Sequence, residues 1–178
     1  MFLIRLIYLF LILIFCVSCS KEVVEKSKIT ETNLELQTIE AYQEGLKELK
    51  KGDVLFAAKK FNEAEMLYPQ SMIAPRSALM ASYSYYSQNY YSDAIAELER
   101  FLKVYPNYKD KVYAEYLLAL CYYEQIVDEK KDLNSIEKSK EIFLRLIRNY
   151  PNTDYALDAE FKLNLINNIL AAKEMYVG

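Results

Sequence analysis

Groups able to do chemistry are few in this 178-residue chain, and their spacing excludes most catalytic classes. There is no histidine, so the commonest general base and the commonest metal ligand are both missing. No glycine-rich phosphate loop, nucleophile elbow or cysteine pair at zinc spacing occurs. Asp93 with Glu97 and Glu99, and Glu137 with Glu141, have a spacing in which paired acids can be imagined. On a repeat helix the same residues read as a solvated face. Cys121 stands alone beside Leu120 and Tyr122 and reads as a small core residue, not a redox centre. The expectation is a protein that is not an enzyme, with no metal site, no cofactor and no disulfide framework.

The other two cysteines belong to a different setting. Arg5 precedes an unbroken apolar run from Leu6 to Val17, and Ser18-Cys19 closes it, an arrangement like that of a secretory signal over residues 1–18. A cysteine directly behind a small residue at this place resembles the lipobox of bacterial lipoproteins. That likeness implies cleavage after Ser18 and a lipid on Cys19 as the first mature residue. Cys16 departs from the pattern, which usually has leucine there, and Phe15 before it disfavours Cys16 as the modified residue. The alternative is an uncleaved anchor helix, but the run is shorter than the roughly 20 residues that span a bilayer. Several acyl chains on Cys19 would hold a membrane stably where one would not. Ser20, where an aspartate tends to retain lipoproteins in the inner membrane, resembles an outer-membrane address. Residues 19–34 are expected to be a flexible tether, because Lys21 to Thr32 is charged, lacks aromatics and shows no helical stripe.

The elements behind this leader are set out by three Tyr-Pro pairs, Tyr68-Pro69, Tyr105-Pro106 and Tyr150-Pro151. Their prolines are spaced 106 − 69 = 37 and 151 − 106 = 45 residues apart, close to the roughly 34-residue period of tetratricopeptide repeats. Counting back from Pro69 meets Ala64, Phe61, Ala57, Gly52 and Gly45 where that pattern places small and bulky residues. Counting back from Pro106 meets Phe101, Leu98, Ala94, Asn89 and Ser82; from Pro151, Leu146, Phe143 and Ser139, with Ala119 in register only across an insertion. Helices approach closely where side chains are small. Gly45 is therefore expected against Ala57 and Ser82 against Ala94, with Phe61, Leu98 and Phe143 filling the space behind. Proline ends each second helix, Ser71 and Asn152 or Thr153 are placed to cap the next, and Pro75 falls in a first turn, where proline is tolerated.

The fold expected is all-α, a tetratricopeptide-repeat hairpin array with units at 35–70, 71–108 and 109–153 and a further helix at 154–178. Val127 to Asn134 in the third unit is expected to be a charged surface loop. Cleavage would leave 178 − 18 = 160 residues, too few for a second globular domain. The net charge of −3, with lysine and glutamate interleaved, provides no basic stripe for nucleic acid.

Surface remains as the functional feature, and its unusual component is tyrosine, 17 residues with no tryptophan. Tyr68, Tyr105 and Tyr150 precede the prolines and read as packing residues. First helices of such hairpins line the concave side, and the proline register places Tyr42 and Leu49 there in the first unit, Tyr83 and Tyr86 in the second, and Tyr113, Tyr116 and Tyr123 in the third. Tyrosine combines a broad apolar face with a hydroxyl, which suits gripping a peptide. Packing between repeats accounts for such residues equally well.

Pro75 to Met80, Ala94-Ile95 followed by Leu98-Glu99-Arg100-Phe101, Tyr113-Ala114-Glu115-Tyr116-Leu117, Cys121 to Ile126, and Tyr150-Pro151 to Tyr155-Ala156 together resemble the BamD family, also known as ComL or YfiO. The likeness runs from about Ile39 to Gly178. It implies a lipid-anchored scaffold on the periplasmic face of the outer membrane. Such a scaffold binds the barrel-forming BamA-type subunit and accessory lipoproteins and receives unfolded β-barrel precursors, with the seven groove residues as candidates for precursor contact. Family members continue through further repeats, where BamA docking is expected. The sequence here stops at Gly178 with no fourth Tyr-Pro, which reads as a truncation. Phe161, Leu163, Leu165, Ile166, Ile169 and Leu170 exceed the apolar surface expected of a capping helix. The alternative is another periplasmic repeat lipoprotein, an adaptor of cell division or pilus assembly.

Overall fold

The computed structural model describes residues 28–126 and 133–177. Its helices are α1 (Lys28–Lys51), α2 (Val54–Leu67), α3 (Ala74–Tyr86), α4 (Tyr91–Val104), α5 (Lys111–Glu124), α6 (Leu133–Asn149) and α7 (Asp154–Val177), with no strand among the described residues. Neighbours in sequence pack together from α2 through α7, and α5 also touches α3 and α7 two elements away. The first helices of successive hairpins thus form one layer and the second helices the other. This is the all-α helical array that the proline ruler implied.

Sequence dictates each turn. Gly52 adopts φ 86°, where only glycine is free of steric cost, and its N–H donates to the Leu49 carbonyl at 3.1 Å while the Asp53 N–H reaches Glu48 at 3.1 Å. The Asp53 carboxylate then accepts the Phe56 N–H at 3.1 Å, so one residue closes α1 and starts α2. Asn89 repeats this turn one unit later at φ 64°, with Asn89 N–H to Tyr86 and Tyr90 N–H to Tyr85, both at 3.0 Å. Ser71 caps α3 through the Ala74 N–H and Thr153 caps α7 through the Ala156 N–H; Pro75 sits in the first turn of α3.

The crossings are closed by fully buried Ala57, Ala94, Ser82 and Ser139, with Phe61, Leu98 and Phe143 fully buried behind them. In the third hairpin the Ser139 hydroxyl donates to the Ala119 carbonyl at 3.1 Å, so those two positions meet despite the insertion. The first crossing differs from expectation. The atoms nearest Gly45 are those of the Phe61 ring, not Ala57, and a Cβ there would lie 2.8 Å from two ring carbons. A flat ring exploits the missing side chain more fully than a methyl group does.

Two other expectations are adjusted. Residues 28–34, assigned to the tether, lie in α1. No glycine or proline occurs between Cys19 and Gly45 to stop a helix that propagates back from the packed hairpin. Leu133 and Asn134, assigned to the inserted loop, open α6. Residues 1–27, including the leader and Cys19, and residues 127–132 lie outside the described residues.

Three of the carboxylates singled out by spacing are held by neighbouring side chains. Glu97 accepts from Arg100 at 2.9 Å and Glu99 from the Tyr122 hydroxyl at 2.8 Å, while Glu141 pairs with Arg145 at 3.5 Å. Arg100 also grips the buried Glu65 of α2 with two hydrogen bonds of 2.9 and 2.6 Å, and the Tyr105 hydroxyl adds a third at 2.8 Å. On α7, Leu163 and Ile166 are buried and Ile169 and Leu170 pack against the core. Phe161 and Leu157, by contrast, are 61% and 70% exposed.

Candidate functional site

Arg76, Leu79, Met80 and Tyr83 follow one another at i, i+3, i+4 and i+7, so a single face of α3 presents them together. Across from that face stand Asp110 and Tyr113 at the start of α5 and Tyr155 at the start of α7. These seven residues line a cavity of about 370 Å³ on the layer of first helices. It is shaped by three tyrosine rings and two aliphatic side chains, with one cation and one carboxylate.

Of the predicted groove residues, Tyr83 and Tyr113 line this cavity. Tyr83 is 36% exposed and offers its ring to solvent. Tyr113 is half-buried, with its ring 6.0 Å from that of Tyr155, and burial pushes its hydroxyl pKa up to about 12. The others stand around it. Tyr116 stacks 5.1 Å from Tyr155 and donates a 2.6 Å hydrogen bond to Asp158, and burial followed by that bond raises its pKa. Tyr123 lies between Phe143, at 6.4 Å, and the Lys162 ammonium, 5.1 Å from its centroid. Tyr86 packs 6.0 Å from Tyr91, Leu49 packs on the buried cluster of Ala41, Ala57, Ala58 and Phe61, and Tyr42 is buried 5.4 Å from Phe61. These five pack against neighbouring side chains and do not line the cavity.

Sequence reasoning did not assign Arg76, Asp110 or Tyr155 to the site. The i, i+7 spacing of Arg76 and Tyr83 carried the signal for the first. The Arg76 guanidinium carbon rests 5.4 Å from the centroid of the Tyr42 ring, so a core tyrosine acts as the platform for the site's cation. Asp110 occupies the residue before α5 but makes no capping bond with its side chain. It lies instead beside the Tyr108 hydroxyl, whose pKa burial raises first and Asp110 second. Phenols with raised pKa values remain neutral across the physiological range and so present hydrogen-bond donors.

A second cavity, about 690 Å³, is lined by Lys59, Asn62, Glu63, Met66, Leu67 and Tyr85 and includes none of the predicted groove residues. Cys121 is fully buried, and burial pushes its thiol up to about 12, which removes it from reactive chemistry at neutral pH. No cluster of metal-ligating side chains occurs among the described residues, and no described helix is long and apolar enough to cross a membrane.

Comparison with known proteins places these features in a lineage. Residues 35–178 match the family model YfiO, described as outer membrane lipoprotein. Among curated proteins, outer membrane protein assembly factor BamD of Caulobacter vibrioides is 39% identical over 137 residues, covering 77% of this chain and 45% of that protein. The protein of that name in Rickettsia prowazekii is 35% identical over 153 residues, 86% of this chain and 61% of the relative. The Neisseria gonorrhoeae one is 27% identical over 147 residues. The chain spans about half the length of the curated relatives it matches. Solved structures similar in fold include the first TPR of Spaghetti (RPAP3) bound to an HSP90 peptide, with TM-score 0.58, 16% identity, and coverage of 77% of this chain and 95% of that one. The C-terminal TPR-containing domain of a Plasmodium falciparum FK506-binding protein has TM-score 0.56 and 19% identity, covering 80% of this chain and 93% of that one.

Proposed function

This chain belongs to the YfiO family of outer membrane lipoproteins, and we propose that it is a non-enzymatic scaffold of the outer-membrane β-barrel assembly machinery. Unfolded barrel precursors dock in extended form on the layer of first helices, and a BamA-type barrel subunit with accessory lipoproteins forms the rest of the assembly. A lipid on Cys19 anchors the chain at the periplasmic face of the outer membrane.

The observation that carries the reading is the ring-lined cavity between α3, α5 and α7 in a chain whose relatives are named outer membrane protein assembly factors. Unfolded barrel segments alternate apolar and polar residues and carry unpaired backbone amides. Neutral tyrosines match both, with a ring for the apolar side chains and a hydroxyl for the backbone. The interleaved surface charge and net charge of −3 suit a protein partner and not nucleic acid.

Affinity capture of the full chain from detergent-solubilised membranes tests the assignment. Recovery of a barrel-assembly complex is expected; recovery of division or pilus proteins instead would overturn it. Mass spectrometry of the mature amino terminus should find acyl chains on Cys19, and Cys19→Ala should release the chain from the membrane fraction.

A further inference from the structure

We infer that the end of the array formed by the three Tyr-Pro turns rests on an anionic lipid surface, with Met72 at the boundary and Lys103, Lys109 and Arg148 on the headgroups. The inference rests on the Cys19 anchor proposed above and goes beyond it, from a tether at one point to a fixed face of the folded chain.

Helices joined by short turns and packed on one another run antiparallel, so the turns at 68–73, 105–110 and 150–153 share one end of the array and those at Gly52 and Asn89 share the other. The chain enters the array at the first of these ends. Gly45 lies against the Phe61 ring, and Glu44 pairs with Lys60 at 2.9 Å. Seven residues back along α1 is seven forward along α2, so Thr38 stands level with Tyr68, and the residues before it lead past the Tyr-Pro end. Cys19 lies 32 − 19 = 13 residues before Thr32, a reach of at most roughly 45 Å. A lipid on Cys19 therefore brings this end of the array nearest the membrane.

The side chains on that end suit a charged lipid boundary. Met72, in the first of the turns, is 91% exposed, more than any other large apolar side chain among the described residues, and Val104 at the end of α4 is exposed as well. Lys103, Lys109 and Arg148 are exposed and form no ion pair among the described residues. Lys103 and Arg148 stand in last turns, where a cation complements the helix dipole. Lys109 has no such reason, because it lies two residues before the amino end of α5, where a cation opposes the dipole. The acids at this end are engaged locally: Asp110 beside the Tyr108 hydroxyl, and Asp154 with the first turn of α7. Exposed apolar tips among unpaired cations bind an anionic bilayer by burial and attraction together.

The test follows oxidation of methionine to its sulfoxide by dilute peroxide, read by mass spectrometry on the acylated full chain held on vesicles. Met175, 85% exposed near the far end of α7, is the internal control. Vesicles of phosphatidylcholine with phosphatidylglycerol are compared with vesicles of phosphatidylcholine alone. Met72 should oxidise about fivefold more slowly on the anionic vesicles, the occupancy shift that the attraction of one surface cation gives, while Met175 oxidises equally on both. Salt at about 1 M, which shortens the screening length to about 3 Å, should restore the Met72 rate. Lys103→Gln, Lys109→Gln and Arg148→Gln combined should do the same. Equal Met72 rates on the two vesicles would overturn the inference and leave the anchor standing, as would slowing that persists in high salt or slowing shared equally by Met175. A chain that floats with neither vesicle would remove the anchor and the inference together. The vesicle and salt comparisons need no substitution, so they decide the matter even where the variant does not fold.

Discussion

Gly45 lies inside α1 and Gly52 in the turn directly after it, and the two answer to different constraints. At Gly45 the limit is space, since a Cβ would meet the Phe61 ring at 2.8 Å. Gly45→Ala should cost about 1–3 kcal/mol in denaturant unfolding, the range for overpacking a closed contact. At Gly52 there is open space but φ is 86°, so Gly52→Ala should cost about 1 kcal/mol through backbone strain alone. Asn89→Gly, at the matching turn, should gain a few tenths of a kcal/mol. Both glycines were legible as repeat positions. The ring over Gly45 was not, because spacing reports which residues are small but not which side chain reaches across. Cys121 and Tyr113 bear on pH. Each holds its proton more tightly in the folded chain, from 9.0 to about 12 and from 10.0 to about 12. As pH rises the unfolded chain therefore loses these protons first, and stability falls. Thermal melts should be level with respect to these groups up to pH about 9 and then decline toward 12, with Cys121→Ala delaying the onset.

Between elements, the contact least visible in the sequence is the clamp of Arg100 and Tyr105 on Glu65, which ties α4 and its following turn to α2 across 35 and 40 positions. Helix-face patterning marks all charges as solvated, and nothing in a repeat consensus distinguishes the one that turns inward. Glu65→Gln keeps the shape but removes the charge that Arg100 needs. It should destabilise by about 1–3 kcal/mol, below the loss for a fully buried pair because Arg100 remains 39% exposed on its side chain. Equilibrium unfolding in urea measures this directly. An unchanged midpoint would mean that water replaces the clamp without loss. The start of α1 carries the complementary lesson. Charge and the absence of a stripe suggested a tether through residue 34, yet residues 28–34 are helical. An apolar stripe marks where a helix packs and not where its backbone hydrogen bonds cease.

At the scale of the whole molecule, hairpin order and crossing residues were readable because each repeat contacts mainly its neighbours, so local spacing carries fold information. The cavity was only partly readable. Register placed Tyr83 and Tyr113 correctly on the layer of first helices. It did not distinguish them from Tyr42, whose ring is spent on Phe61 and Arg76, because all three lie on first helices and register alone does not say which ring a neighbour covers. Arg76, Asp110 and Tyr155 meet only when α3, α5 and α7 assemble. The central claim is that an unfolded barrel precursor binds through this tyrosine-lined face, and Tyr83 is the residue to change because its exposure separates binding from folding. The most direct measurement is the affinity of the full chain and of Tyr83→Ala for a urea-unfolded outer-membrane barrel protein, diluted into buffer, alongside melting curves of both. The account predicts at least about fivefold weaker binding, corresponding to roughly 1 kcal/mol for an interface ring, with melting unchanged. Equal affinity of the two folded proteins would contradict it.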